Sequence, residues 1–159
     1  MKFRSKSDAV RIARQVTSLR LSLDKTRSFE KTTGFVQNQF GQYWDATVVR
    51  QLIALYREMI VAAPDADEQS AAQYMLAGFL YDVLMLDEAA FECESMVKSY
   101  PAKAYAVEAL LARVEARRGN MDRATLLANR VNQNQAASSF RVDALELQRE
   151  YEKGESGRR

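Results

Sequence analysis

The sequence predicts an all-α protein, and three observations support that fold class. Gly and Pro together supply only 8 of the 159 residues, against an average usage of roughly 12%. Sandwiches and barrels need a turn about every 8–12 residues, so the chain has too few turn-forming residues for them. Apolar residues instead recur at helical spacing along most of the chain. Because 47% of the residues are hydrophobic, there is enough apolar material for a core of ordinary size.

The first predicted helix runs from about Ser5 to Lys25, within a basic amphipathic segment at residues 1–28. Its apolar residues recur at spacings of three and four, which places them on one stripe. Residues 1–31 carry a net charge of +6, and the remainder carries −4. A basic surface attracts nucleic acid or anionic membranes, although docking onto the stack or a partner is the preferred interpretation. The candidates for such contact are Arg4, Lys6, Arg11, Arg14 and Arg20.

Two other roles remain open for this segment. Its basic, serine-rich composition also fits a mitochondrial-type presequence. Its apolar stripe would also suit homo-oligomerisation through a coiled coil. The stripe consists of Ala9, Ile12, Val16, Leu19 and Leu23.

Residues 29–44 have no clear period, whereas the residues that follow predict a largely buried helix. Five aromatic residues and two glycines lie in 29–44, and no element is assigned there. From Asp45 to Ala62, apolar residues cover more than half of the helix circumference. This helix is predicted to end before Pro64, because a residue preceding proline is pushed out of the helical region.

The acidic loop that comes next, Asp65, Asp67 and Glu68, lacks the ligand spacing and glycine of a calcium loop. It is interpreted as a helix cap, since carboxylates accept hydrogen bonds from the first amides of a helix.

From Ser70 onward the sequence repeats with a period of 35 residues. Leu76-Ala77, Asp87 and Ala89 are matched by Leu111-Ala112, Asp122 and Ala124. Self-similarity at this period indicates a helical-repeat array. Each unit is predicted to be a helix–turn–helix, with helices at 70–84 and 87–99, then at 104–118 and 121–133. The two aspartates are predicted to be N-caps, and the two later alanines are expected to face a neighbouring helix.

A final helix over residues 139–153 is predicted to cap the stack. One face is expected to pack inward and the other to be solvated, and residues 154–159 are predicted to be a flexible tail. The inward face comprises Phe140, Ala144, Leu147 and Tyr151, and the solvated face comprises Arg141, Asp143, Glu146 and Glu150.

The two repeats resemble the tetratricopeptide family over residues 70–103 and 105–136. The resemblance depends on the Leu-Ala pairs, on Ala89 and Ala124, on Gly119 and on the closing Pro101. Gln73 and Glu108 depart from it, since tryptophan is frequent there in the family. The resemblance implies an array of antiparallel helix pairs over residues 45–136, with capping helices at both ends, in a single all-α domain over residues 1–159.

The resemblance also implies that the first helix of each repeat lines a concave groove. Tyrosine and arginine are enriched at binding hot spots, and this groove would hold a peptide or a partner subunit. The candidate partner-binding residues are Tyr74, Met75, Tyr81, Asp82, Leu110, Arg113 and Arg117.

The composition argues against catalysis. Without any histidine, the chain cannot form a Ser-His-Asp triad or a histidine-based metal site. Cys93 lies between Glu92 and Glu94, which disfavour a reactive thiolate. We therefore expect a non-enzymatic protein with no metal and no cofactor. The longest apolar run is too short to span a membrane.

The predicted function is a cytoplasmic adaptor, chaperone or assembly factor that binds a protein partner, as part of a larger complex. The alternative is a nucleic-acid or membrane-surface accessory protein that acts through the basic N-terminal segment.

Overall fold

The computed structural model describes residues 6–158 and confirms the all-α fold class. The helices are α1 (Lys6–Thr26), α2 (Ala46–Ala62), α3 (Ala66–Asp82), α4 (Leu86–Ser99), α5 (Ala104–Arg118), α6 (Met121–Asn132) and α7 (Ala144–Arg158). Short 3-10 helices lie at Pro101–Lys103 and Gln135–Phe140. Two short strands, β1 (Phe35–Gln37) and β2 (Tyr43–Asp45), were not predicted. No helix within residues 6–158 is both long and apolar enough to span a membrane.

Contacts within the chain divide it into two compact units, whereas the sequence predicted a single domain. The first unit ends at Met85 and the second begins at Leu86. This division falls inside the first predicted repeat, so the two helices of that repeat, α3 and α4, belong to different units.

The first unit is built from α1, α2 and α3. The helix α2 packs against both α1 and α3. The apolar stripe of α1 is buried at Ile12, Val16 and Leu23, as predicted. Since this stripe packs inside the unit, it does not offer the exposed coiled-coil surface considered for homo-oligomerisation.

Residues 35–45 form an antiparallel hairpin, in which Val36 pairs with Trp44. Its turn is held by the buried side chain of Asn38, whose Oδ1 accepts hydrogen bonds from the amides of Phe40 (2.9 Å) and Gln42 (3.1 Å). Gly41 follows with φ of +77°, a conformation that favours glycine. The residues for which no periodicity was found in the sequence thus include an antiparallel hairpin.

The two helices after the hairpin are both capped by an aspartate; the sequence predicted the cap in the acidic loop and the end of α2 before Pro64, but not the cap at Asp45. Asp45 Oδ1 accepts the amide of Thr47 at the start of α2 (2.8 Å), and Ala63 leaves the helix in an extended conformation before Pro64. Asp65 Oδ1 accepts the amide of Glu68 (2.8 Å). The acidic loop is therefore a helix cap, and α3 begins four residues before the predicted position.

The helices α3 and α5 end in the same backbone turn, 35 residues apart. Leu84 and Gly119 both have positive φ, 62° and 92°. In each turn the next amide, that of Met85 (2.9 Å) or Asn120 (2.8 Å), donates back to a carbonyl in the last helical turn. This is the Schellman arrangement. The spacing between the two turns is the same 35 residues as the period in the sequence.

Replacing Gly119 with alanine is expected to lower the free energy of unfolding by about 1–2 kcal/mol, because a Cβ is strained in the left-handed region. That Cβ would also lie 3.0 Å from the Arg158 guanidinium. Chemical denaturation followed by circular dichroism measures the change. The control is Gly78→Ala in α3, where a Cβ meets no atom within 4 Å; it should stabilise by up to about 1 kcal/mol. Equal effects of the two substitutions on stability would contradict the left-handed conformation of Gly119.

The second unit is organised around α5, which packs against α4, α6 and α7. Buried residues lie on all sides of α5, from Val107 to Arg117. Ala89 of α4 and Ala124 of α6 are fully buried, as predicted for places where helix backbones approach closely.

The predicted N-caps of α4 and α6 lie two positions too late in the sequence. The two helices begin at Leu86 and Met121, so Asp87 and Asp122 lie in the first helical turn. There they still favour the helix electrostatically, because a carboxylate near an N-terminus interacts well with the helix dipole. Asn120 is the N-cap residue of α6, but its side chain donates to Glu115 instead (2.7 Å).

The last helix differs from its predicted bounds of 139–153. It begins after Asp143, whose Oδ1 accepts the amide of Glu146 (2.8 Å). It continues to Arg158, so the predicted flexible tail is helical through that residue. Leu147 is buried as expected, whereas Phe140 is exposed and lies outside the helix.

Candidate partner-binding site

The α5 half of the predicted groove is occupied by the chain's own C-terminal helix. Arg113 Nε donates to Glu146 Oε1 at 2.6 Å, and Arg117 Nη1 donates to Glu150 Oε2 at 3.0 Å. Leu110 is buried. The expectation that Glu146 and Glu150 are solvated is therefore wrong, because the two arginines of α5 bind them.

The two ion pairs differ in burial although they are one helical turn apart. The side chains of Arg117 and Glu150 are only 8% and 11% exposed, against 28% and 37% for Arg113 and Glu146. Breaking a buried pair leaves an uncompensated charge and is costly, whereas a half-exposed pair contributes little. Arg117 and Glu150 therefore form the stronger link between α5 and α7.

The C-terminal half of α7 lies against the end of α5 at very short range. A Cβ at Gly154 would overlap the carbonyl oxygen of Arg117 and lie 2.8 Å from its carbonyl carbon. Arg158 Nη1 donates to the same carbonyl oxygen (2.9 Å), and its guanidinium lies over the ring of Tyr151 (5.6 Å). A side chain larger than hydrogen cannot fit at residue 154 without moving the helix.

Replacing Gly154 with alanine is expected to lower the free energy of unfolding by about 1–3 kcal/mol, the usual cost of overpacking. Gly157 lies in the same helix, but a Cβ there meets no atom within 4 Å. The matched change Gly157→Ala should therefore stabilise by up to about 1 kcal/mol through helix propensity. Urea denaturation of both variants gives the comparison, and a stabilising Gly154→Ala would refute the close approach.

The end of α3 is enclosed within the first unit. Tyr81 is buried. Asp82 accepts a hydrogen bond from Gln39 Nε2 (2.5 Å) and pairs with Arg20 Nη1 (3.6 Å). Burial raises the pKa of the Asp82 carboxyl, although the Gln39 hydrogen bond and the Arg20 charge oppose that shift. Two of the predicted groove residues therefore stabilise the unit internally.

The guanidinium of Arg20 lies against the aromatic core of the first unit. Its Cζ is 5.5 Å from the Trp44 ring centroid and 5.2 Å from that of Phe79. Those two rings stack with centroids 6.2 Å apart, and Tyr56 contacts Phe79 at 5.4 Å. Arg20 was expected on the basic surface of α1, but its side chain points into the unit toward Asp82.

The other basic candidates on α1 have different surroundings. Arg4 lies outside the described residues, as does the side chain of Lys6. Arg11 is exposed and pairs with Asp8 at 3.8 Å, and Arg14 is exposed. Arg11 and Arg14 therefore remain as the surface-exposed basic candidates.

The predicted groove residues that stay accessible lie in the middle of α3. Tyr74 is 38% exposed and Met75 is 45% exposed. Ala71 is exposed on the same helix face, and at Gly78 a Cβ would meet no atom within 4 Å. These four residues form an open, apolar stripe that we call the α3 face.

Sequence reasoning missed a charged cleft of about 980 Å³ beside the α5–α6 turn. At its base Glu115 is fully buried and accepts from Arg118 (2.6 Å) and Asn120 (2.7 Å). Arg118 also pairs with Asp87 (3.2 Å), and Arg123 pairs with Glu94 (2.7 Å). Because these charges neutralise one another, the network joins α4 to the turn rather than presenting a vacant charged site.

The single thiol lies in the second unit and is shielded from solvent. Burial raises the pKa of Cys93 to about 12, and the nearby carboxylates of Glu92, Glu94 and Glu115 add to the shift. A nucleophilic cysteine requires a lowered pKa, so the described surroundings of Cys93 suit a structural role. Within residues 6–158, no group of three or more acidic or cysteine side chains is arranged to hold a metal ion.

Comparisons of this chain with protein-family models, with curated proteins and with solved structures found no match.

Proposed function

We propose that this protein is a non-enzymatic helical interaction module and that the α3 face binds a protein partner. The observation that carries the proposal is the exposed apolar stripe on a well-packed helix. Ala71, Tyr74, Met75 and Gly78 follow the spacing i, i+3, i+4, i+7, which defines one face of a helix. Aromatic residues and methionine are enriched at protein interfaces.

The shape of the α3 face suits a helix or peptide with a bulky apolar side chain. Gly78 leaves open space beside Met75, and a partner side chain can enter it. The thioether of methionine adapts to different shapes, and the tyrosine adds a large, rigid contact area. An adaptor, chaperone or assembly factor within a larger complex would use such a surface.

A cytoplasmic location forms part of the same proposal. Its support is chemical, because the single cysteine of the chain is a buried free thiol, which suits a reducing compartment. Burial and the neighbouring carboxylates raise the pKa of this thiol, which disfavours a role for Cys93 as a nucleophile.

Photo-crosslinking in the cell that produces the protein tests this surface. A photoreactive amino acid at Ala71 should crosslink a discrete protein partner. The same amino acid at Leu126 on α6, which is 61% exposed, is the control and should not. Tyr74→Glu with Met75→Glu should reduce recovery of that partner at least about tenfold, as expected when hot-spot residues are lost. Equal crosslinking from both positions would refute the assignment.

A second candidate function is supported by the outer face of α1. Val10 and Leu21 are exposed there beside Arg14 and Lys25, a combination of aliphatic and basic side chains that suits an anionic membrane surface. Co-sedimentation with anionic and with neutral vesicles at several salt concentrations tests this function. Binding should occur with the anionic vesicles and weaken as salt is added. Arg14→Glu should abolish binding to anionic vesicles, whereas Arg50→Glu on α2 is the control and should not.

A further inference from the structure

The contacts that hold α7 in place are mainly polar. Leu147 and Glu150 are its buried residues in the described part of the helix. Gly154 and Gly157 each weaken the helix relative to alanine, because glycine has low helix propensity. Isolated helices of this length are marginal in water. The helical state of α7 therefore depends on its contacts with the second unit.

Open space lies along both edges of α7. A pocket of about 350 Å³ separates its start from α6 and is lined by Thr125, Ala128 and Leu147, among others. The cleft of about 980 Å³ borders its other edge at Gln148 and Tyr151. Both clefts are open to solvent, so α7 is held to the second unit along one face while its edges stay accessible.

The connection to α7 is fixed up to the residue before the helix cap. Asn132 Nδ2 donates to the carbonyl of Val142 (2.7 Å), and the amide of Val142 donates back to Asn132 Oδ1 (2.9 Å). Val142 is buried. Movement of α7 therefore requires a change only at Asp143 and beyond, while the preceding 3-10 segment stays attached.

The α5 face beneath α7 has a defined chemistry. It presents two guanidinium groups four residues apart, those of Arg113 and Arg117, and the apolar side chain of α7 that is buried in this unit is Leu147. Arginine binds carboxylates through strong, directional hydrogen bonds. Opposite the arginines, Glu146, Glu150 and Gly154 lie at successive intervals of four residues. The matching pattern is Glu-Leu-x-x-Glu-x-x-x-Gly on a helix.

We propose that α7 is an internal competitor and that the α5 face beneath it receives an acidic helix of a protein partner with this pattern. The partner helix replaces Glu146 and Glu150 on the two arginines, and α7 swings away from Asp143. The apparent affinity for the partner equals the intrinsic affinity multiplied by the fraction of molecules in which α7 is undocked. This inference does not depend on the α3 face, and either can fail without the other.

The test uses a fluorescent peptide of residues 143–158 and the full-length protein. The variant Glu146→Lys with Glu150→Lys repels α7 from the arginines and leaves the α5 face intact. Fluorescence anisotropy should show that this variant binds the peptide at least about tenfold more tightly than the wild type does. The control Glu88→Lys with Glu152→Lys has the same net charge, but both sites are exposed, and it should bind like the wild type. A peptide with lysine in place of Glu146 and Glu150 should not bind.

Two outcomes would overturn the proposal. One is a folded reversal variant that binds the peptide no better than wild type, in which case α7 is a fixed cap. The other is a reversal variant that dimerises and excludes the peptide, which makes a second copy the occupant. If the variant does not fold, hydrogen exchange on the wild type decides. Amides of α7 should exchange at least about tenfold faster than those of α5 through local opening, and equal rates would overturn the proposal.

Discussion

Replacing Arg117 with alanine is expected to lower the free energy of unfolding by about 3–5 kcal/mol. The substitution leaves the Glu150 carboxylate buried without its cation, which is the costly way to break a buried ion pair. Both side chains are almost fully enclosed while α7 is docked, so water and dissolved salt reach the unpaired carboxylate only when α7 opens. Chemical denaturation followed by circular dichroism, at low and high salt, measures the loss and should show little dependence on salt.

Two controls separate the charge effect from a general loss of packing. Arg113→Ala removes the equivalent arginine one turn away, but its pair is much more exposed, so the expected cost is only about 0–1 kcal/mol. The double variant Arg117→Met with Glu150→Leu replaces both charges by apolar groups and should recover most of the stability. If Arg117→Ala lowers the free energy of unfolding no more than Arg113→Ala does, the Arg117–Glu150 pair is not buried as described.

The helices of this chain could be predicted from its sequence because their signals are local. The apolar spacing of α1, the acidic cap at Asp65 and the proline after Ala63 are each recognised within a few residues of sequence. The bounds of α5 agree with the prediction at residues 104–118. The Schellman turns at Leu84 and Gly119 also agree with the 35-residue period. The existence of each helix was thus accessible from propensity, capping and periodicity, whereas the bounds of α3 and α7 were not.

The hairpin could not be predicted in the same way, because its stabilising contacts are specific rather than periodic. Asn38 uses its side chain to hold the turn, and the amide of Gln39 donates to the carbonyl of Asp82 (2.8 Å) across 43 residues of chain. Strand prediction relies on alternation of polar and apolar residues, and three-residue strands are too short to show it.

The contact between α5 and α7 has a signal in the sequence, but that signal is visible only when the two helices are compared. Arg113 and Arg117 are four residues apart, and so are Glu146 and Glu150. Either pair alone is typical of a solvated helix face. Only the equal spacing and opposite charge of the arginine pair and the glutamate pair indicate that α5 and α7 could meet through these side chains. Charge patterns on separate helices should therefore be compared before either is assigned to solvent or to a partner.

Arg20 was misassigned for a related reason. The residue follows Leu19 at the edge of the apolar stripe, yet it was grouped with the basic surface by charge. The structure directs its guanidinium to Trp44, Phe79 and Asp82, where a long side chain buries its stem and keeps a charge partner. Net charge along a segment therefore overstates the charge that the folded surface presents.

Replacing Trp44 with alanine is expected to lower the free energy of unfolding by about 3–5 kcal/mol, the cost of removing a large core aromatic. The ring is 2% exposed and stacks on Phe79 under the Arg20 guanidinium. Its removal would leave a cavity where α1, the hairpin and α3 meet. Because Trp44 is the single tryptophan, unfolding should be followed by circular dichroism rather than by intrinsic fluorescence.

Two further variants decide whether the aromatic residues of this segment form a core or a recognition surface. Trp44→Phe keeps an aromatic ring and removes the indole Nε1, which is buried without a hydrogen-bond partner. It should therefore cost clearly less than Trp44→Ala, since an unsatisfied buried donor is itself unfavourable. Phe40→Ala at the hairpin tip removes an exposed ring and should change stability by less than about 0.5 kcal/mol. If Phe40→Ala matched Trp44→Ala, the hairpin tip rather than the inward tryptophan would anchor this unit.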